Sequence, residues 1–275
     1  MAKHSFSIVT ISFNQAQYLR ATIESVLSQK CDALQYIVVD PGSTDGSRDI
    51  IDSYGDQIDV RIFEPDKGPG DGLNKGFALA TGEILGYLNS DDVLLPGAIE
   101  RIDQAFAERP AADVISGHAH IIDAEGNFLR ESYSDDFRVQ PVLYRARCVM
   151  QPSTFFRRES FLNTKGFNAN NRFDWDAELF VDMKLAGAKF ARVDAFLSGY
   201  RIYPSTVTAE RTSRMFLEPK ARKLFEEKHN RSWRWYDHPL RWGHLVMKYV
   251  REPRWVRERL LRGRVAGRFK TTPGA

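Results

Sequence analysis

The chain has 275 residues and 43% hydrophobic content, enough to bury one large core or one core with an appendage. A formal net charge of +3 says little about partners; the two cysteines, Cys31 and Cys148, are too few for a disulfide framework and have no metal-ligand spacing, which predicts a reducing compartment. The N-terminal Met-Ala-Lys-His-Ser-Phe has no apolar signal region and no run reaches 18 apolar residues, so neither a classical export signal nor a membrane span is expected.

In chain order, Phe6 to Ile11 is a β-branched and aromatic run that predicts a buried strand. Asn14 then precedes a helical pattern with Leu19, Ile23, Val26 and Leu27 on one face. Tyr36 to Val39 predicts a second strand ending at Asp40, and Pro41 to Ser47 supplies turn and cap chemistry for a helix through Ile51. Val60 to Phe63 is a third strand. The Gly-rich loop Lys67 to Gly72 leads into a helix carrying Leu73, Phe77, Leu79 and Ala80. Ile84 to Leu88 is a fourth strand, followed by Asn89, Ser90, Asp91 and Asp92 before Pro96 opens a helix to about Glu108. Val114 to Ile122 and Phe128 to Ser132 flank the turn-rich Asp123 to Gly126 and predict an antiparallel hairpin. Gln151 to Arg158 reads as a strand, Asp176 to Ala186 as a helix ended by Gly187, Ser198 to Tyr203 as a final strand, and Glu210 to His229 as a long polar helix.

Alternating strands and helices with near-continuous apolar strands predict a parallel sheet covered on both faces, with ligands bound beyond the carboxyl ends of its strands. Those ends carry Thr10 and Ser12, then Asp40, then Glu64 and Asp66, then Asp91 and Asp92. The adjacent acids Asp91 and Asp92 repel each other, and two readings stand: a cap for the helix at Pro96, or a site for a cation. The histidines His118, His120, His229, His238 and His244 show no ligand spacing. No Ser-His-Asp arrangement appears, and no GxGxxG follows the first strand, which argues against hydrolase and dinucleotide readings.

The segments Ser7 to Asn14, Val39 to Gly46, Glu64 to Gly76, Ala80 to Glu83, Leu88 to Asp92, Gln151 to Phe156 and Tyr200-Arg201 occur in an order and spacing that resembles the GT-A-fold inverting glycosyltransferases of family 2. The resemblance covers roughly residues 5 to 205. It implies an α/β fold of GT-A type, with a Rossmann-like, mostly parallel central sheet with helices on both faces. A mixed acceptor-side region and a helical C-terminal tail complete it. The domains expected are 1–209, with a donor half over 1–110 and an acceptor half over 111–209, and a basic, Trp-bearing extension over 210–275.

The resemblance also implies roles. Asp40 would contact the base of a nucleotide-sugar donor, with Thr10 and Ser12 beside it; Lys67, Asp71, Asn74 and Arg201 would contact the donor. For Asp40 and Asp71 a helix cap is the competing reading, and for Lys75 a surface ion pair. Asp91 and Asp92 would hold ribose and a metal ion, Mg2+ or Mn2+, which takes one or two carboxylates together with diphosphate oxygens and waters. Asn89 stands where many members carry the first acid, and Tyr203 where many have a histidine. Asp176, in Phe173 to Phe180, matches the catalytic base, with Trp175 in place of a glutamate and Asp182 in place of an arginine. An acid-rich helix start is the competing reading there. Trp175 is either a sugar-stacking platform or core, and Gln151 and Ser153 would line the acceptor side.

From Arg231 to Lys270 twelve basic residues face only Asp237, Glu252 and Glu258, with Trp233, Trp235, Trp242 and Trp255 interleaved. Leu240 to Val250 and Trp255 to Val265 predict basic amphipathic helices, for which an anionic bilayer surface is one reading and a solvated or oligomer-contact face the other, and no recognised nucleic-acid module appears. The expected function is metal-dependent inverting transfer of a hexose-type sugar from a UDP-linked donor to a saccharide or lipid-linked saccharide. This would serve bacterial surface polysaccharide assembly, in the cytoplasm or peripherally on the cytoplasmic face of the membrane. A sugar-phosphate nucleotidyltransferase and a non-catalytic sugar-nucleotide-binding protein are the alternatives; the first lacks its Gly-rich, Arg- and Lys-bearing signature near the N-terminus.

Overall fold

The apolar run Phe6–Ile11 forms β1 and lies inside a nine-stranded sheet. The computed structural model describes residues 3–144, 146, 149–171, 174–204, 206 and 219–263. The expected domain boundary at 209–210, the start of the polar helix near Glu210, Phe173, Cys148 and the basic residues Arg264, Arg268 and Lys270 lie outside these.

After β1 come α1 (Ala16–Leu27), β2 (Leu34–Val39), α2 (Ser47–Ser53), β3 (Val60–Ile62), α3 (Pro69–Ala78), β4 (Ile84–Asn89), β5 (Val93–Leu94) and α4 (Ala98–Glu108). The second half contributes β6 (Val114–Ile122), β7 (Phe128–Ser132), α5 (Val139–Leu143), β8 (Thr154–Arg157), α6 (Arg158–Leu162), α7 (Trp175–Leu185) and β9 (Phe190–Arg201). The C-terminal helices are α8 (Pro219–His229), α9 (His238–Arg251) and α10 (Arg254–Arg262). Among the described residues no helix is long and apolar enough to cross a membrane.

The strand order is β3-β2-β1-β4-β8-β6-β9-β5, with β7 beside β6. Pairing is parallel from β3 through β4 and again between β6 and β9, whereas β8 joins β4 and β6 antiparallel and β5 joins β9 antiparallel. The expected parallel sheet therefore holds for the first half, and the second half is mixed. The expected hairpin is β6 and β7, paired antiparallel. β9 begins eight residues before the expected Ser198. Its first part carries Arg192 and Asp194, whose charges mask an otherwise apolar strand and are taken up by Glu252 and by His118 and Arg254. Gln151 to Ser153 form a 3-10 turn rather than strand, since Pro152 offers no N–H to a ladder.

The pleat sorts side chains to two cores. Phe6 and Ile8 of β1 and Ile84 and Leu88 of β4 pack with Leu19, Ile23 and Val26 of α1 and Ile99, Ile102 and Phe106 of α4. Val9, Leu85 and Tyr87 go to the other face, with Leu73 and Phe77 of α3, Phe161 of α6 and Leu179, Phe180 and Met183 of α7. Gly82, where β4 begins, presses on β1: a Cβ there would stand 2.5 Å from the carbonyl carbon of Phe6 and the nitrogen of Ser7.

Candidate active site

The cleft lies beyond the carboxyl ends of β1 and β4, on the α3 and α7 side of the sheet. Its volume is about 410 Å³, and its walls include Ile11, Tyr87, Asn89, Asp91, Gln151, Asp174, Trp175, Asp176, Tyr200 and Arg201. The pleat explains the selection within the strands. Residues in phase with Val9 and Leu85, namely Ile11, Tyr87 and Asn89, reach the cleft, whereas Thr10 points to the α1 face.

Thr10 is fully buried and its hydroxyl accepts from the Tyr36 phenol at 3.0 Å. Ser12 is buried as well. Neither lines the cleft. Asp40 has no exposed surface; its carboxylate accepts from the backbone N–H groups of Gly42 and Ser43, from the Ser43 hydroxyl at 2.6 Å and from Arg48 at 3.3 Å. It organises the turn just after β2 and does not cap α2, whose N-cap is Gly46. Asn14, in a left-handed conformation, continues the same lacing by accepting from Thr44 N–H at 2.9 Å, and Asp45 accepts from Ala16 N–H at the start of α1.

Asn74 ties α3 to the loop before α7: its amide donates to Phe167 O and accepts from Phe167 N–H, both at 2.8 Å. Asp71 sits in the first turn of α3 and accepts from Lys67 N–H at 3.0 Å, a helix-end contact, while the Lys67 side chain is exposed.

The acid turn after β4 is held from beneath by Thr22 of α1, whose hydroxyl faces Ser90 O at 2.8 Å and Asp92 O at 2.7 Å. The two acids part company here. Asp91 lines the cleft, and its Oδ2 accepts from the Tyr203 hydroxyl at 2.9 Å. Asp92 is buried; its Oδ1 accepts from Arg201 N–H at 2.9 Å, and its Oδ2 has no hydrogen-bond partner among the described residues. Burial pushes the Asp91 carboxyl up, against the pull of Tyr203 and Arg201; burial pushes Asp92 well above the carboxylate range, with the neighbouring Asp91 charge adding. Neither acid caps α4, because β5 and a left-handed Gly97 intervene.

Arg201 donates from Nε to Asp91 O at 2.7 Å and from Nη1 to Asp123 O and Ala124 O at 2.9 Å, with its guanidinium 4.8 Å from the Tyr18 ring centre. It lines the cleft and also fastens the acid turn to the loop after β6. The first turn of α7 brings Asp174, Trp175 and Asp176 to the cleft. Burial, and then the charge of Asp176, push the Tyr87 phenol well above its ordinary range. Gln151 donates to Tyr87 O at 2.8 Å and so reaches the cleft from β4, whereas Ser153 is buried against His118 O and Ser198. Tyr87 and Gln15 were not singled out from sequence, and Tyr200 was named only within the Tyr200-Arg201 segment. Counting back by twos from Asn89 along β4 would have found Tyr87.

A divalent cation fits this donor set in a limited way. Asp91 offers one cleft-facing carboxylate, which suits a hard ion that completes its shell with diphosphate oxygens and water. Among the described residues no group of three His, Cys, Asp or Glu side chains stands ready to hold an ion by itself.

The parallel half-sheet with an acid turn at its carboxyl edge has counterparts of known family. The glycosyl transferase family 2 model matches residues 7–166, and the chain belongs to that family. A PGL/p-HBAD biosynthesis glycosyltransferase of Mycobacterium bovis is 30% identical over 182 residues, covering 64% of this chain and 69% of that protein. An uncharacterized glycosyltransferase of Nostoc is 37% identical over 44% of this chain and 38% of its own length, so the chain spans well under half of that relative. Among solved structures, S. aureus TarS 1-349 in complex with UDP-GlcNAc superposes with a TM-score of 0.64 at 16% identity, covering 94% of this chain and 74% of that one. The mannosyltransferase PcManGT of Pyrobaculum calidifontis, in complex with GDP-Man and Mn2+, gives 0.61 at 16%, over 90% and 70%. At this identity the superpositions establish the GT-A fold.

Proposed function

We propose that the chain transfers a sugar from a nucleotide-diphosphate donor, UDP-linked, to a hydroxyl of a saccharide or lipid-linked saccharide, with inversion at the anomeric carbon, in the assembly of bacterial surface polysaccharide. The observation that carries the reading is that Asp91, at the end of β4, and Asp176, in the first turn of α7, line one cleft. Membership of family 2 and the role in PGL/p-HBAD biosynthesis named for the mycobacterial relative support it.

In this reading Asp176 is the base. It takes the proton of the acceptor hydroxyl as that oxygen forms its bond to the anomeric carbon, on the side opposite the breaking bond to the diphosphate. Asp91 would hold Mg2+ or Mn2+; when bound, the ion offsets negative charge on the departing nucleotide diphosphate. Arg201 and the Tyr203 hydroxyl fix Asp91 in place, Trp175 offers a ring face to a sugar, and Lys67 at the mouth of α3 adds a positive charge for the donor. The site works on the cytoplasmic side of a membrane, where nucleotide sugars and a lipid-linked acceptor meet.

Asp176→Asn tests this directly. UDP binding measured calorimetrically with Mn2+ survives, while transfer from a panel of UDP-, GDP- and dTDP-sugars falls by about 10² or more. Turnover near the wild-type rate removes Asp176 as base, and a wild-type protein that binds UDP without turning over any donor favours the non-catalytic binding alternative.

A further inference from the structure

Helix α9 is amphipathic in the opposite sense to a helix that covers a core. The side that meets the rest of the chain carries Lys248 and His244: Lys248 lies 3.4 Å from Asp135 and over the Trp255 ring, and His244 packs on Tyr144 with ring centres 4.8 Å apart. The outward side carries Trp242, Val246, Met247 and Val250, which are 63, 56, 44 and 65% exposed. These positions recur at three- and four-residue steps and so form one stripe. In α10, Val256 and Leu260 are also exposed one turn apart, and Trp235 stands out ahead of α9. A soluble helix ordinarily turns its apolar stripe to the core; a contiguous exposed one marks an interaction surface.

Charge decides what covers it. The three acids of this region are all buried and engaged: Asp237 with Arg231 at 2.6 Å, Glu252 with Arg192 at 2.8 Å and Arg254 at 2.6 Å, and Glu258 with the N–H of Glu131 at 3.1 Å. The exposed charged residues over 231–263 are then Arg234, Arg251, Arg257, Arg259 and Arg262, with no exposed acid among them. Two copies meeting through this face would oppose like charges. An anionic bilayer complements it, since indole rings favour the headgroup boundary and each arginine near the surface gains from the negative potential.

We infer that the outward stripe of α9, with Leu260 of α10 and the surrounding arginines, is the surface by which this protein lies on an anionic membrane. None of these side chains lines the cleft, so the inference stands apart from the transfer reaction and can fail without it.

The test is sedimentation of the full chain with phosphatidylcholine vesicles, with and without phosphatidylglycerol. Binding is expected only to the anionic vesicles, to fall with added salt, and to weaken about ten-fold in Val246→Gln/Val250→Gln. Equal binding by that double variant, or no binding to anionic vesicles at low salt, overturns the inference. So does a wild-type dimer in sedimentation velocity that the double substitution dissociates without vesicles, which would assign the stripe to a second copy. Should the double variant fail to fold, tryptophan quenching by brominated lipids decides: quenching in the wild type that diminishes in Trp242→Phe supports the surface, and its absence in the wild type overturns it.

Discussion

The Tyr203 hydroxyl donates to Oδ2 of Asp91 at 2.9 Å, from a residue 112 positions further along the chain. Tyr203 also reaches Gln15 at 3.3 Å and packs on Tyr18 with ring centres 4.8 Å apart, so the cleft-facing carboxylate is oriented by the end of β9 and the start of α1 together. A hydrogen bond to a charged group contributes roughly 1.5–3 kcal/mol. Tyr203→Phe, which keeps the ring packing, is expected to lower sugar transfer by about ten-fold or more with little change in melting temperature, measured by donor turnover and calorimetry.

The unequal placement of the two acids separates their substitutions. Asp91→Ala is expected to abolish the Mn2+ dependence of UDP binding in a titration while leaving stability nearly intact. Asp92→Ala removes the acceptor of the Arg201 N–H and leaves a small cavity, at a cost of about 1–3 kcal/mol in denaturant unfolding. Cation-dependent UDP binding that follows Asp92 and ignores Asp91 would reverse the assignment of the metal ligand.

Gly82 belongs to one of the segments that carry the family resemblance, yet its requirement is steric. A methyl group there would meet the backbone of β1, which has no flexible end to yield. Gly82→Ala is expected to cost about 3 kcal/mol, read as a lowered denaturation midpoint, and to reduce activity only in proportion to the folded fraction.

His118 gives the fold a pH dependence. It is buried, accepts from Ser134 N–H at Nδ1 and meets Asp194 through Nε2. Burial lowers its pKa below the ordinary 6.5, against the opposing pull of Asp194. The unfolded chain therefore takes up a proton first as the pH falls, and stability is lost on acidification through the 6.5 region towards the lower folded value. Melting temperatures between pH 7.5 and about 5.5 should fall less steeply in His118→Asn than in the wild type; parallel slopes would remove His118 as the source.

Asn74→Ala is expected to cost about 1–3 kcal/mol, because it unlatches both backbone groups of Phe167 from α3. Since that latch holds the loop before α7, the loss should also raise the concentration of acceptor needed for half-maximal transfer. A variant with wild-type stability would show that the loop is held elsewhere.

The sequence by itself determined the strands of the first half, their parallel order and the acid turn at their carboxyl edge. Near-continuous apolar runs set between helical patterns are local signals. It also singled out Asp91 and Asp176 together, through motifs whose spacing survives in one dimension, and both line one cleft. The tertiary structure decided which motif residues face the cleft. Thr10 and Ile11 are neighbours in the chain, but the pleat sends one to the core and the other to the site. The tertiary structure also decided what Asp40 and Asn74 hold within the chain, since their hydrogen-bond partners lie just ahead at Ser43 and far along at Phe167. The division of labour between Asp91 and Asp92 depends on Arg201, which ends β9, and on Tyr203 just beyond it, both more than a hundred positions later. The tail followed the same rule: its amphipathic pattern was visible in sequence, but only packing of Lys248 against Asp135 and of His244 against Tyr144 showed that its apolar stripe is turned out.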